Sequence, residues 1–255
     1  MIFIKLLAGV RHRLQSTRRP ETGEKTLRQA DWKLIRALPL FSDMSESNFQ
    51  ELLNAAFLQR FPQHVTLITE GELPDFLHIV VDGSVELFGA HNGHETTIDI
   101  VRPVTTFILA AVIRDAVYLK SARTLAPAQI LMIPAQTVRD VFGRDAAFAR
   151  AIVNELADRY RGVVCSLKNE KLRSSAERLA NWILQADAQQ GHHRSIELKF
   201  EKRTLASRLG MTPENLSRNL ALLAQYGVKS SGRDIIIENE SALAKFAKPN
   251  ALMDG

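Results

Sequence analysis

The segment from Thr204 to Ala224, TLASRLGMTPENLSRNLALLA, restricts the fold of this chain more than any other stretch. It predicts two short helices joined by a tight turn at Gly210. Thr212 is suited to cap the second helix, and Pro213 suits its first position because a missing N–H costs nothing there. Leucines recur along the second helix at i, i+4 and i+7, which predicts that this side faces inward. These leucines are Leu216, Leu220 and Leu223.

The opposite side of this second helix is predicted to carry Glu214, Ser217, Arg218 and Ala221. A glutamate accepts a hydrogen bond from the cytosine amino group, and an arginine donates to guanine O6 and N7 in a major groove. The alternative is a generic helical hairpin with a polar face. The turn glycine, the cap, the proline and the segregated faces together favour a helix-turn-helix that reads DNA bases.

A β-hairpin wing is predicted directly after the helix-turn-helix. The runs Val228–Ser230 and Asp234–Glu238 flank a turn at Ser231-Gly232. Basic and hydroxyl side chains in and around these elements are expected to contact DNA phosphates. The expected phosphate contacts are Lys202, Arg203, Thr204, Arg208, Lys229 and Arg233.

A long helix is predicted from Ala146 to about Leu172, a stretch without proline in which Gly162 is the only glycine. Its apolar residues alternate spacings of three and four, close to a coiled-coil repeat, and its opposite face is charged. A helix packed on its own domain is the alternative to a two-stranded dimer contact. Cys165 lies beside this seam as a small thiol of no evident reactivity. The seam residues are Val153, Leu156, Tyr160, Val163 and Leu167.

The middle of the chain is predicted to form a small β domain. A helix over Asn48–Phe57, capped by Ser45, precedes Pro62, and a short buried helix is predicted at Phe107–Ile113. Glycine dipeptides at Glu70-Gly71, Asp82-Gly83 and Asn92-Gly93 indicate tight turns between short strands, as in a sandwich or roll. The predicted strands are Val65–Ile68, Phe76–Val81, Val85–Phe88, Thr97–Val101 and Ile130–Ile133.

Charge is unevenly distributed along the 255 residues, although the total is only +5. Residues 37–149 carry −6, whereas residues 150–173 and 191–255 carry +3 each. The middle should therefore repel a polyanion and the later regions attract one, unless these charges are merely solvated faces. The single cysteine fits a reducing cytoplasm, and the apolar runs are shorter than the roughly 20 residues that span a bilayer. Met1–Val10 is expected to be an extension rather than a signal peptide.

The order of these parts resembles the cyclic-AMP receptor/fumarate-nitrate regulator superfamily of bacterial transcription factors. The matching motifs are LPLF at Leu38–Phe41, EGELPDFLHIVVDGSVELF at Glu70–Phe88, and LASRLGMTPENLSRNLALL at Leu205–Leu223. The resemblance runs from Leu38 to Phe246 and implies an α+β fold. Its expected parts are an N-terminal extension (1–36), a β-roll sensor domain of the cyclic-nucleotide-binding type (37–145), a dimerisation helix (146–172), a winged helix-turn-helix (173–247) and a tail (248–255).

The resemblance also implies partners and a DNA sequence. Double-stranded DNA, a second copy of the chain and RNA polymerase are the expected partners. Glu214, Ser217 and Arg218 look like the base-reading triple of the oxygen-sensing branch, which reads a TTGAT-type half-site. Pro213 stands where the cyclic-AMP branch has an arginine.

The effector site departs from the family pattern. Phe107-Ile108-Leu109 stands where cyclic-AMP binders have a glycine-glutamate pair, and Tyr118-Leu119-Lys120 stands near the position of their arginine. An apolar pocket cannot satisfy a ribose diol or a cyclic phosphate, which argues against that ligand. One cysteine excludes the iron–sulfur cluster of the oxygen sensors. What remains is similar to the denitrification regulators, in which an apolar pocket is thought to hold haem that responds to nitric oxide. The expected pocket comprises Phe107, Ile108, Leu109, Ala110, Ala111 and Ile113, and the candidate haem ligands are His64, His78, His91 and His94.

Other functions find little support in the sequence. His91, His94 and Glu95 in HNGHE provide too few ligands to predict a metal site. No nucleophile elbow, phosphate-binding glycine loop or zinc-protease motif is present, so an enzyme is not expected. Two alternatives stay open: an effector-independent DNA-binding regulator with a structural roll, and a small-molecule-binding interaction protein without DNA function.

Overall fold

The computed structural model describes residues 29–254, so the expected extension at Met1–Val10 lies outside the described residues. Two four-stranded antiparallel sheets, with strand orders β1-β8-β3-β6 and β2-β7-β4-β5, form a β-roll. The strands are β1 (Phe57–Phe61), β2 (Thr66–Ile68), β3 (Phe76–Asp82), β4 (Val85–His91), β5 (His94–Val101), β6 (Thr105–Phe107), β7 (Ser121–Thr124) and β8 (Ala128–Pro134).

The five predicted strands all form, as β2, β3, β4, β5 and β8. The turn glycines adopt the positive φ angles that the dipeptides indicated, 87° at Gly71, 85° at Gly83 and 78° at Gly93. The roll also contains β1, β6 and β7, which the hydrophobic pattern did not indicate. No residue of β1 is buried, and β7 (SART) has only one apolar residue, so neither shows the alternation that marks a strand.

Two predicted helices have different bounds in the structure. The helix predicted over Asn48–Phe57 is α2 (Glu46–Asn54), capped as predicted by Ser45, and Phe57 begins β1 instead. The helix predicted over Phe107–Ile113 is α3 (Leu109–Arg114), because Phe107 pairs with His78 in the sheet. Ile108, at a left-handed φ of 63°, separates the strand from the helix.

A helical layer covers the outer face of the β1-β8-β3-β6 sheet. It consists of α1 (Gln29–Arg36), α2, α4 (Ala135–Arg144) and the first turns of α5 (Ala146–Leu172). Ile35 of α1 is completely buried in this layer, although it lies in the range expected as an extension. The layer and the sheet share one apolar core, whose fully buried members include Leu52, Leu77, Ile79, Leu131, Val138 and Phe148.

Asp145 joins this helical layer to the long helix. Its carboxylate caps α5 by accepting from the backbone N–H groups of Ala147 and Phe148, and it also accepts from Ser45 N and Asn48 Nδ2. Burial acts to raise the pKa of Asp145, but these hydrogen bonds outweigh burial and lower that pKa to about 2. The charged carboxylate therefore fixes where α5 leaves the roll.

The C-terminal part is a winged helix-turn-helix with its own core, here called the head (residues 174–247). Its three-stranded sheet has the order β10-β11-β9. The α+β class, the long helix and the wing are confirmed. The elements are α6 (Ser175–Gln189), β9 (Ser195–Glu197), α7 (Lys202–Arg208), α8 (Pro213–Leu223), a 3₁₀ turn (Ala224–Tyr226), β10 (Val228–Ser231), β11 (Asp234–Ile237) and α9 (Glu240–Ala247), followed by α10 (Ala251–Asp254).

Candidate DNA-binding surface and sensor region

The recognition helix α8 is built as its sequence predicted. Thr212 Oγ1 caps it by accepting from Asn215 N at 3.2 Å, and Pro213 occupies the first turn. Leu216 and Leu223 are buried in the head core, and Leu220 packs against them. Because the leucine side of α8 faces the core, the three expected base-reading side chains on the other side are exposed, namely Glu214, Ser217 and Arg218.

The local electrostatics keep Glu214 ionised. Its own backbone N–H, the Thr212 hydroxyl and the Arg218 charge all lower the pKa of this exposed carboxyl. Ser217 Oγ donates to the carbonyl of Pro213 at 3.1 Å. The helix therefore presents an acceptor, a hydroxyl and a guanidinium along its first two turns, the groups that distinguish base edges in a major groove.

The expected phosphate contacts lie in different environments. Lys202 Nζ donates to Ser230 Oγ of the wing at 2.8 Å, whereas Arg203 and Lys229 form exposed ion pairs with Glu201 and Glu238, respectively. Arg233 is exposed on the wing turn. Thr204 is almost buried, with 9% of its surface exposed, so its side chain offers little to a phosphate. The last expected contact, Arg208, faces the roll.

The head contacts the roll through α7. The backbone N–H of Thr97 in β5 donates to Ser207 Oγ at 2.7 Å, and Arg208 lies 3.3 Å from Asp99 of the same strand. Ile100, on the same strand, is buried within the apolar cluster of the head. The sequence pattern did not predict this contact, because each partner reads as an ordinary surface residue of its own element.

A buried ion pair lies behind this contact, on the roll side. Glu86 is 4% exposed and accepts from Thr97 Oγ1 at 2.5 Å and from Arg123 Nε at 2.7 Å. Arg123 also bonds Glu95 and stacks on the ring of Phe88 at 4.1 Å. Beside it opens a polar cleft of about 980 Å³ between roll and head. Basic residues of the head that line the cleft include Lys199, Arg203 and Arg233.

The predicted dimer seam is largely exposed in the single chain. Four of its five residues, Val153, Tyr160, Val163 and Leu167, expose between 52% and 70% of their surface, whereas Leu156 packs against the roll core. Val164 extends this apolar strip. Solvent-exposed apolar residues in a line along one helix are typical of a surface that another helix covers.

Comparison with known proteins agrees with this architecture. A family model described as a cyclic nucleotide-binding domain matches residues 58–145, and a model described as a Crp-like helix-turn-helix domain matches residues 177–246. The chain belongs to the Crp/Fnr family of transcription regulators. The resemblance inferred from the sequence motifs is confirmed.

Individual relatives of this Crp/Fnr protein are distant. It is similar to the cyclic AMP receptor protein of Thermus thermophilus, with 24% identity over 210 residues that cover 82% of this chain and 96% of that protein. A solved putative cAMP-binding regulatory protein from Silicibacter pomeroyi is 26% identical, with a TM-score of 0.58 and coverage of 86% of this chain and 99% of that one. FixK2 from Bradyrhizobium japonicum shares the fold, with a TM-score of 0.68, 20% identity and coverage of 77% and 99%.

The expected effector residues of this Crp/Fnr chain do not line one cavity. Phe107, Ile108 and Ala111 pack into the interior between the two sheets of the roll. Leu109 and Ile113 pack on the other side, in the core shared with the helical layer, and Ala110 is exposed. The clefts of about 980 and 440 Å³ lie elsewhere, between roll and head and beside the wing.

The four candidate haem ligands are also separated. His64, His91 and His94 are exposed, whereas His78 points into the roll interior, where its ring centroid lies 5.2 Å from that of Phe107. Its Nδ1 has no hydrogen-bond partner within residues 29–254, and burial lowers its pKa to about 4. A nitrogen donor is therefore present, but fully buried side chains such as Val80, Ile130 and Phe107 fill the interior. Haem does not fit the roll in this packing.

No helix within residues 29–254 is long and apolar enough to cross a bilayer. In that part of the chain, no three His, Cys, Asp or Glu side chains group together as metal ligands would. Glu95 of the HNGHE motif is instead bound to Arg123.

Proposed function

We propose that this Crp/Fnr regulator acts as a homodimer that reads an inverted-repeat operator with TTGAT-like half-sites. The observation that carries the proposal is the exposed triple on the capped recognition helix. Arg218 would donate to guanine O6 and N7, the ionised Glu214 would accept from the cytosine amino group, and Ser217 would meet a thymine. The leucines on the opposite side hold this face outward by their burial in the head core.

The apolar strip on α5 supports the dimer. Two chains joined along α5 would be related by a two-fold axis, so the operator would be an inverted repeat. The two recognition helices would enter successive major grooves about 34–36 Å apart, one turn of DNA. Lys202, Arg203, Lys229 and Arg233 would set the register by binding phosphates. Bound at a promoter, such a dimer would act on RNA polymerase.

Control of DNA binding would run through the contact between α7 and β5. Arg208 is paired with Asp99 in the arrangement seen here, so it is withdrawn from phosphate binding. A signal that separates the head from the roll would release Arg208 and Ser207 together. In thermodynamic terms the effector would shift a population between docked and released heads.

The close packing of the roll interior argues against both haem and cyclic AMP as the effector. A haem that responds to nitric oxide, the effector suggested by the sequence, would require the interior around His78 to open. The filled interior favours a second candidate function, that of an effector-independent DNA-binding regulator whose roll is a scaffold. Phe107, Ile108 and Leu109 carry no acidic or basic side chain that could bind the ribose hydroxyls or the phosphate of cyclic AMP.

Selection of binding sites from a random duplex pool tests the proposal directly. The full-length protein should recover inverted repeats with TTGAT-like half-sites, and sedimentation should show a dimer at the same concentration. Recovery of unrelated sequences would refute the TTGAT-like half-site, and recovery of no sequence at about 50 mM salt would refute DNA reading. Titration of the selected operator with haem, with and without nitric oxide, separates the two candidates: unchanged affinity and no Soret band favour the scaffold.

A further inference from the structure

A buried ion pair holds the junction between the dimer helix and the head. Helix α5 ends at Leu172 and α6 begins at Ser175, and Arg173 between them points inward. Its side chain is 5% exposed, and its two terminal nitrogens contact the two carboxylate oxygens of Asp254 at 2.5 and 2.6 Å. Such a bidentate contact fixes the guanidinium and carboxylate planes relative to each other and is the strongest geometry for an arginine–carboxylate pair.

The segment Asn250–Asp254, here called the clasp, is held on several sides. Arg173 Nη1 also donates to Asn169 Oδ1 at 2.8 Å, and Asn250 N donates to Asp254 Oδ2 at 2.7 Å. Gln185 of α6 donates to the Asp254 carbonyl at 3.1 Å. Burial acts to raise the pKa of Asp254, but the bonds from Arg173 and Asn250 lower that pKa, so the carboxyl stays charged.

Arg178 continues this connection toward the DNA-reading elements. Its guanidinium donates to the Arg173 carbonyl at 2.9 Å and to the Leu209 and Gly210 carbonyls at 3.0 and 3.3 Å. Leu209 and Gly210 form the turn that precedes the recognition helix. One chain of contacts therefore runs from the clasp, through Arg173 and Arg178, to the start of α8.

We propose that Arg173 and Asp254 are positioning residues that set the angle at which each head presents its recognition helix. The inference rests on the proposed function, because the angle matters only if two heads read one operator. In a two-fold dimer, the angle between α5 and the head determines the distance between the recognition helices and hence the half-site spacing. Breaking the pair would leave a buried charge without a partner, so the junction would loosen.

Operator spacing provides the test, since a residue that only stabilises the fold would not change it. Full-length wild-type protein and the Asp254→Asn variant are titrated on selected operators whose central spacer is shortened or lengthened by one and two base pairs. The wild type should bind one spacing at least tenfold more tightly than its neighbours. Asp254→Asn should reduce this preference to threefold or less, while discrimination against altered half-sites stays unchanged.

Two further variants guard against loss of folding. Arg173→Lys keeps the charge but loses the planar fork, so it should flatten the spacing preference while the protein stays folded. Glu240→Gln, which breaks an exposed pair with Arg194 in the same head, should leave the preference intact. Wild-type preference retained within twofold in both Asp254→Asn and Arg173→Lys overturns the positioning role and leaves DNA reading standing. A wild-type protein that binds no inverted repeat overturns both.

Discussion

The backbone N–H of Thr97 donates a 2.7 Å hydrogen bond to Ser207 Oγ, and this bond joins a strand of the roll directly to the first helix of the helix-turn-helix. Two residues further along the strand, Asp99 pairs with Arg208. Thr97 in turn donates to the buried Glu86, which Arg123 neutralises. The docked head is thus held by a polar network that continues into the roll. DNA phosphates would compete with Asp99 for Arg208, which lies at one end of this network.

Asp99→Asn should increase operator affinity because it releases Arg208 for a phosphate. Exposed ion pairs contribute about 0.2–1 kcal/mol, so we expect an increase of up to about fivefold. The slope of log affinity against log salt should steepen by about one per released phosphate contact. Fluorescence anisotropy on the selected operator measures both quantities.

Asp82→Asn is the matched control, since it removes the same charge from an exposed turn of the roll that does not contact the head. An equal gain in both variants would mean that the change in net charge, rather than the docked contact, governs affinity.

Arg218→Ala should weaken binding to the operator by about 1–3 kcal/mol and relax specificity at the guanine it contacts. Binding to random duplex should change much less, because the lost contact is to a base, whereas binding to random DNA depends on contacts to phosphates. Arg60→Ala, which removes an exposed arginine from β1, is the control for charge. Equal losses on operator and random DNA would exclude base reading by Arg218.

Val163→Asp should dissociate the dimer, because it places a carboxylate in the apolar strip on α5, where pairing would bury it. We expect the dimer dissociation constant to rise at least 100-fold in analytical ultracentrifugation. Asn154→Asp is the control: nine residues away, it lies on the opposite side of the same helix. If both variants remain dimeric, another surface joins the two chains.

The helical elements were the most predictable part of this molecule. Long-range context is not needed to see that Thr212, Pro213 and three inward leucines define α8, and the cap and burial are as the spacing predicted. The strand β1 was missed because an exposed edge carries no alternation, and Phe107 was assigned to a helix because its pairing with His78 is not visible in sequence.

The contacts between domains were not predictable from spacing. Arg208 is a basic residue on a DNA-binding helix, and only the fold brings it to Asp99, 109 residues earlier. Likewise, Arg173 and Asp254 are separated by 81 residues and each resembles a solvated charge in sequence. Sequence patterns report the side of an element that is buried, whereas these pairs depend on how whole domains meet.

His78→Leu should remove part of the acid sensitivity of the fold. Burial holds the pKa of His78 at about 4, whereas an unfolded histidine titrates near 6.5. Between these values the unfolded chain binds a proton that the folded chain does not, so stability is complete above pH 6.5 and falls as the pH drops toward 4. The leucine variant should lose this contribution, about 1.4 kcal/mol per pH unit, in urea unfolding at pH 7 and pH 5. His91→Leu, at an exposed hairpin position, should keep the wild-type dependence, and an equal slope in all three proteins would mean that His78 is protonated in the folded roll.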